Sequence, residues 1–154
     1  MKCISLWQPW ATLWVLQIKK NETRHWPFPS NYTGPVAVHA AKKKVNIWDG
    51  IERYFLQGII EALDKAGLDP NYLPRGAIVG RCDRIRSYKI FRYQNNSLET
   101  MLGDWSPGRY YWTPENMQPL PEPIPYRGCQ GIFNVDLFSD RYIPPPKRQQ
   151  LKLF

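Results

Sequence analysis

Lys19, Glu22 and Arg24 fall within seven residues, Ile18-Lys19-Lys20-Asn21-Glu22-Thr23-Arg24, and together they could do acid–base work or hold an anion. A lysine beside a carboxylate keeps its proton and can anchor a phosphate or polarise a carbonyl. One stripped of water gives its proton up and becomes a base or nucleophile. With Glu22 activating a water and Lys19 polarising a carbonyl, the pair could hydrolyse an amide. With His39 added, the set could move protons and stabilise charge at a phosphodiester, as a ribonuclease must. In an ideal strand Glu22 and Arg24 share a face and Lys19 lies opposite. Lys19 sits at a helix exit, however, where strand alternation need not hold. An ion pair between Glu22 and Arg24 that braces the fold stands beside the ligand role as an equal reading. Lys20 reads as a solvated charge.

A second group could bind a flat ligand. Trp7-Gln8-Pro9-Trp10 turns the chain into a helix. One of the two tryptophans packs inside, and the other, with Gln8, could stack on a base and hydrogen-bond it. Tyr110, Tyr111 and Trp112 alternate faces, so one belongs to the core and another could line a groove; Tyr110 and Trp112 join the candidate binding residues. Glu115 could supply a second carboxylate. His39 closes an apolar strand, as a hydrogen-bonded structural residue or as a donor to a base edge or phosphate. Lys42 to Lys44 could follow a phosphate backbone or simply be solvated. Two histidines and three scattered cysteines offer no metal-ligand spacing, so neither a metal nor a cofactor is expected.

The charge balance agrees with an anionic partner. Twenty-one Lys and Arg against 13 Asp and Glu leave a net charge of +8, which favours nucleic acid. Seven Trp, nine Tyr and six Phe can fill a core or stack on bases. No apolar run reaches the roughly 20 residues of a membrane span, and the N-terminus does not read as a signal peptide. Cys3, Cys82 and Cys129 suggest reduced thiols and a cytoplasmic protein.

These residues must be held by a mixed framework. Cys3–Leu6 reads as a strand. Pro9 suits the first turn of a helix running to about Gln17, and apolar residues nearly all round it predict burial. Strands are expected at Glu22–Trp26, Pro35–Ala40, Gly76–Cys82 (a long one), Arg109–Trp112 and Ile132–Leu137. Ile47, Ile51, Tyr54, Phe55, Ile59 and Leu63 recur at helical spacing and predict a second helix from Asn46 that Gly67 and Pro70 end. Tyr93–Gly108 reads as an exposed polar excursion. Pro119, Pro121, Pro123 and Pro125 predict an extended, polyproline-like connection. Residues 1–142 form one α+β domain of about six strands and two main helices, and residues 143–154 a basic tail.

Four segments follow one another in a particular order: Leu6-Trp7-Gln8-Pro9-Trp10-Ala11, then Ile18–Arg24, then Gly34-Pro35-Val36-Ala37-Val38-His39-Ala40-Ala41-Lys42. The fourth is dispersed over Gly76–Gly80, Glu122–Pro125 and Gly128–Val135. This order resembles the ASCH family, in which a Gln-Pro-aromatic turn enters a helix and a Gly-x-Lys-Thr-x-Glu-x-Arg stretch leaves it. The resemblance spans roughly residues 3 to 138. It implies a small barrel like that of pseudouridine synthase and archaeosine transglycosylase (PUA-like), with a cleft that receives RNA or a modified nucleoside. Some members hydrolyse N4-acylated cytidines with a Lys and a Thr from the motif and a Glu from elsewhere. By that resemblance Lys19 falls on the catalytic Lys, Glu22 on the Thr position and Arg24 on the Arg. Gln17 and Lys20 stand where the motif has Gly and Thr.

Overall fold

The computed structural model describes residues 1–93 and 97–136. The expected tail, and the end of the expected last strand, lie outside them. Eleven strands and α-helices follow in chain order among these residues, with a short 3-10 turn at Pro70–Tyr72 between α2 and β4: β1 (Lys2–Leu6), α1 (Trp10–Val15), β2 (Glu22–Arg24), β3 (Val36–Ala40), α2 (Arg53–Ala66), β4 (Ala77–Cys82), β5 (Arg84–Lys89), α3 (Leu98–Met101), β6 (Tyr110–Glu115), β7 (Gln118–Pro125) and β8 (Ile132–Asn134). The fold is mixed α+β, with eight strands among the described residues in place of the expected six or so.

The strands form two sheets. The larger runs β7-β4-β3-β1-β8, and the smaller runs β2-β6-β5. β1 and β3 pair in parallel, with Ser5 opposite His39; the other pairings are antiparallel. The sheets meet at one corner. Only Asp83 separates β4 from β5, and only Asn116 and Met117 separate β6 from β7. The Asp83 amide donates to Glu115 O at 2.9 Å, and Asn116 Nδ2 donates to the Asp83 carboxylate at 3.0 Å. Among the described residues no ladder closes the two sheets into a barrel. β2 shows why: Pro27 and Pro29 remove backbone donors just beyond it, so it stops at Arg24 and offers a short edge.

α1 lies at the centre. Trp14, Val15 and Ala11 join the core between the sheets, with Trp112, Phe28, Ile4 and Val38. Leu13 points the other way, into a cluster with Ile59, Leu63 and Leu102 beneath α2. This two-sided packing is what its all-round apolar surface demands. The contact with β4 is close: a methyl group at Gly80 would lie 2.6 Å from Val15 Cγ1. β3 is buried at all five positions because both of its faces are covered.

Several sequence expectations need correction. α1 begins at Trp10, with Pro9 as its cap residue, and ends at Val15. α2 begins at Arg53 rather than near Asn46. The Asn46 side chain instead accepts from the Trp48 amide at 3.1 Å, and Gly50 adopts φ 77°, which together fold residues 46–50 into turns. Gly67 ends α2 in a left-handed cap, as expected. The expected connection 119–125 is strand β7, tolerated despite its prolines because it lies at the edge of its sheet. The excursion 93–108 is not all exposed: α3 lies within it, and Thr100, Leu102 and Trp105 are buried. β5, rich in charged residues, was not anticipated.

Candidate functional site

Two depressions flank the exposed indole of Trp7, which lines both. The larger is a cleft of about 1190 Å³, open at the ends of β1, β3 and β4. The smaller holds about 280 Å³ beside α1 and the segment before β6.

The floor of the smaller pocket begins where α1 unwinds. Gln17 takes φ 58°, and the amides of Ile18 and Lys19 both donate to Leu13 O at 3.0 Å. This return turns Lys19 inward, leaving it 1% exposed. Its Nζ donates to Glu22 Oε2 at 2.6 Å. The Glu99 carboxylate, from α3, secures the following backbone by accepting from the amides of Lys20 at 2.7 Å and Asn21 at 2.8 Å. Glu22 also faces Arg24, whose Nε lies 3.6 Å from Glu22 Oε1. That separation is an ion pair but exceeds a hydrogen bond, and Arg24 Nε has no hydrogen-bond partner although it is shielded from solvent. Thus the bracing ion pair is present, with Lys19 as its closer member. Trp7, Trp10 and Leu102 form apolar walls, and Thr23, Asp104 and Arg109 add polar groups.

Arg24 carries the polar seam into the larger cleft. Its Nη2 lies 3.5 Å from Ser5 O. Ser5 Oγ is 2.9 Å from His39 Nδ1, and His39 Nε2 is 2.8 Å from Tyr126 O. A carbonyl can only accept, so Nε2 carries the ring proton and Nδ1 accepts from the Ser5 hydroxyl. A methyl group at Gly128 would overlap the His39 ring, so only glycine lets the connection between β7 and β8 approach so closely. Burial holds the His39 pKa below the ordinary imidazole value of about 6.5, opposed by the bond to Tyr126. The unfolded chain therefore binds a proton that the folded chain refuses. Stability contributed by this difference is fully present above about pH 6.5 and declines as the pH falls toward the lowered folded value. Urea unfolding from about pH 7.5 to 5.5 is expected to show wild type losing stability relative to His39→Gln. Equal pH slopes in the two proteins would contradict this assignment.

The cleft itself is basic. Arg24, Lys42, Arg75 and Arg127 line it, with Trp7, Trp26 and Tyr126 as aromatic surfaces, and among the described residues no Asp or Glu lines it. Lys43 Nζ lies 5.4 Å over the Trp7 ring. Exposed Cys129 also lines the cleft, whereas burial pushes the Cys3 and Cys82 thiols up to about 12 and leaves them protonated.

The structure gathers Trp7, Trp10, Lys19, Glu22, Arg24, His39 and Lys42 around the two depressions. Other candidates lie elsewhere. Gln8 is buried and fully engaged: Nε2 donates to Thr12 Oγ1 and Pro74 O, and Oε1 accepts from the Thr12 amide. Those bonds cap α1, so Gln8 has no group left for a base; Pro9 is buried beside it. Trp112 is wholly buried in the core. Tyr110 pairs with Arg24 in the β2/β6 ladder and packs on the same core. Glu115 is bound to Arg86 on the face of the smaller sheet. Sequence reading missed Ser5, Arg75, Tyr126 and Arg127. For Tyr126 and Arg127 the signal was the adjoining Gly128, whose close contact with His39 requires glycine; Ser5 and Arg75 had none.

Neither a scan of family models nor a search of curated proteins found a match to this chain. Among the described residues no helix is long and apolar enough to cross a membrane. Nor does any group of three His, Cys, Asp or Glu side chains come together to hold a metal.

Proposed function

We propose that this chain is an ASCH-type, PUA-like domain that binds single-stranded RNA or a modified nucleoside in the basic cleft. The observation that carries the reading is the lining of that cleft: among the described residues, four cations, three aromatic surfaces and no carboxylate. Cations neutralise phosphates, and exposed rings stack on unpaired bases. The family resemblance gains support from Gln17. Its φ of 58° is the left-handed conformation that favours glycine, and the ASCH motif has glycine there. Trp7 and Trp10, on either side of Gln8-Pro9, line the smaller pocket with Lys19 and Glu22, and Trp7 also lines the cleft, which fits a ligand site shared by the two motif segments. Reduced thiols fit a cytoplasmic setting.

The test is binding of a fluorescent single-stranded RNA across a salt series. If all four cations meet phosphates, log K should fall with log salt at a slope of about −3, and affinity should drop about fiftyfold from about 50 to 200 mM. Arg127→Ala and Lys42→Ala should each flatten the slope by about 0.7. Trp7→Ala should weaken binding by about 1–3 kcal/mol and leave the slope unchanged. No salt-dependent binding, or binding indifferent to all three variants, would sink the proposal.

A second reading, hydrolysis of N4-acylated cytidine, rests on the Lys19–Glu22 pair at the floor of the smaller pocket. The Lys19 ammonium would polarise the acyl carbonyl while Glu22 takes a proton from water. The water oxygen bonds to the acyl carbon, Glu22 passes the proton on to N4, and the C–N bond breaks to release the carboxylic acid and cytidine. Cytidine released from N4-acetylcytidine by wild type but not by Glu22→Gln would support it. No release by folded wild-type protein would leave binding alone.

A further inference from the structure

Ser5 and His39 form a pair that neither RNA binding nor the Lys19–Glu22 chemistry uses. The parallel ladder of β1 and β3 sets them directly opposite one another. Between β3 and β4 the register jumps at this point, from Val38 opposite Gly80 to His39 opposite Ile78, so Val79 is the extra residue of a bulge. Bulges re-aim neighbouring side chains and recur beside active sites. Ser5 Oγ lies 2.9 Å from His39 Nδ1, and His39 Nε2 is held by Tyr126 O at 2.8 Å. Gly128 packs against the ring, where a methyl group would overlap Cε1 and Nδ1, which leaves the imidazole little room to turn. His39 is buried and Ser5 partly exposed, and both line the basic cleft.

We propose that Ser5 and His39 are a nucleophile–base dyad that cleaves acyl esters carried on phosphorylated molecules. Such chemistry needs a hydroxyl, a base in hydrogen-bond contact with it, and a group that orients the base. With Nε2 donating to Tyr126 O, Nδ1 is the lone-pair nitrogen, and it faces the hydroxyl. Burial holds the ring below the ordinary imidazole pKa, so it is neutral at pH 7 and free to take a proton. Ser5 Oγ attacks the acyl carbon, and its proton passes to Nδ1. The carbonyl electrons move onto oxygen and return as the C–O bond to the leaving alkoxide breaks, and Nδ1 gives that alkoxide the proton. A water then attacks the acyl carbon on Ser5 through the same base, which releases the carboxylic acid and restores the hydroxyl. Arg24, whose Nη2 lies 3.5 Å from the Ser5 carbonyl oxygen, brings positive charge to the same end of β1 and favours the transient oxyanion. The orienting group selects the bond. A neutral carbonyl steadies an imidazolium less than the carboxylate of a full triad does, so the dyad suits an ester, whose alkoxide leaves more readily than an amine anion. The surroundings select the carrier. Lys42, Arg75 and Arg127 line the cleft and, among the described residues, no carboxylate does, which favours a carrier bearing phosphate. In this respect the substrate class rests on the same cations as RNA binding, whereas the dyad does not.

The test is labelling of the full chain with an alkyl fluorophosphonate, which a nucleophilic serine attacks at phosphorus with expulsion of fluoride. One adduct is expected, located at Ser5 by peptide mass spectrometry. Ser5→Ala should abolish it, and His39→Gln should slow it by about 10²–10⁴-fold, the contribution of a positioned base. Wild type unfolded in urea supplies a reference that needs no variant to fold, and its Ser5 should not label. No adduct on folded wild type, an adduct elsewhere, or equal labelling of the folded and unfolded chains would overturn the dyad. So would His39→Gln labelling at the wild-type rate. For the substrate, 3′-O-acetyladenosine 5′-monophosphate is compared with 3′-O-acetyladenosine. Acetate release is expected with kcat/KM about tenfold higher for the phosphorylated ester, the worth of about 1.4 kcal/mol of binding. Equal values would overturn the substrate class, and no acetate from either would overturn the activity. Labelling needs no RNA. A chain that takes the label without salt-dependent RNA binding keeps the dyad and loses the function proposed for the cleft, and one that binds RNA but takes no label does the reverse.

Discussion

Lys19→Met is expected to lower the unfolding free energy by about 3–5 kcal/mol, the loss seen when one member of a buried ion pair is removed. In a domain of this size that corresponds to a fall of roughly 10 °C in Tm. Both members are out of water, Lys19 at 1% and Glu22 at 7% exposure. Removing the ammonium leaves the Glu22 carboxylate with only Arg24, 3.6 Å away and beyond hydrogen-bond reach. Glu22→Gln strands the ammonium instead and should cost a similar amount. The double variant Lys19→Met/Glu22→Leu should cost less than the sum of the single changes, because it buries no unpaired charge. A coupling of about 0.5–3 kcal/mol would be the signature of the pair. Single variants that each cost under about 1 kcal/mol and add simply would show that the pair behaves as a solvated surface contact. Denaturant melts of the four proteins decide the matter.

This pair marks where sequence reading succeeded and where it stopped. Lys19, Glu22 and Arg24 could be grouped because they are neighbours in the chain, and their contact depends on a local return at Gln17. β1, β3 and β4 were legible because apolar runs of strand length admit few other fates. β5 was not. Arg84–Lys89 is an outer strand whose exposed face carries Arg86 and Tyr88, so its composition is that of a loop. The prolines of β7 argued against a strand, and only its place at the sheet edge allows one. Nothing in the sequence singled out Glu99, yet its carboxylate holds two backbone amides beside Lys19 across 78 residues or more of sequence. The basic cleft suffered most. Arg24, Lys42, Arg75 and Arg127 come from four separate segments that the larger sheet and its flanking turns bring together. No spacing in the sequence announces that meeting, and the net charge of +8 says only that some basic surface exists. Aromatic residues were ambiguous for the same reason. Their type fits both a core and a stacking surface, and tertiary pairing alone sends Trp112 inward and Trp7 outward.

Trp112→Ala should therefore cost about 3–5 kcal/mol of stability, the range for deleting a large buried aromatic side chain. The indole has no exposed surface. It packs edge-on against Trp26 at 4.8 Å and Phe28 at 5.2 Å between ring centroids, and its Nε1 donates to Trp26 O at 3.3 Å. The Arg24 guanidinium lies 5.9 Å from its ring centre on the side toward β2. Trp26 and Arg24 both line the basic cleft, so the cavity left by the indole also loosens two walls of the proposed ligand site. Trp112→Ala held folded in the cold should bind RNA more weakly through this lost support. Trp112→Phe should retain most of both properties, because a ring still fills the space between Trp26 and Phe28. Trp7→Ala separates the two effects: its indole is 52% exposed, so stability should change by no more than about 0.5 kcal/mol while RNA affinity falls. Thermal melts and RNA titrations of the three variants give the comparison. If Trp112→Ala were as stable as wild type and lost only its ligand, the indole would have to be a binding surface, and the packing just described could not be what holds Arg24 and Trp26 in place.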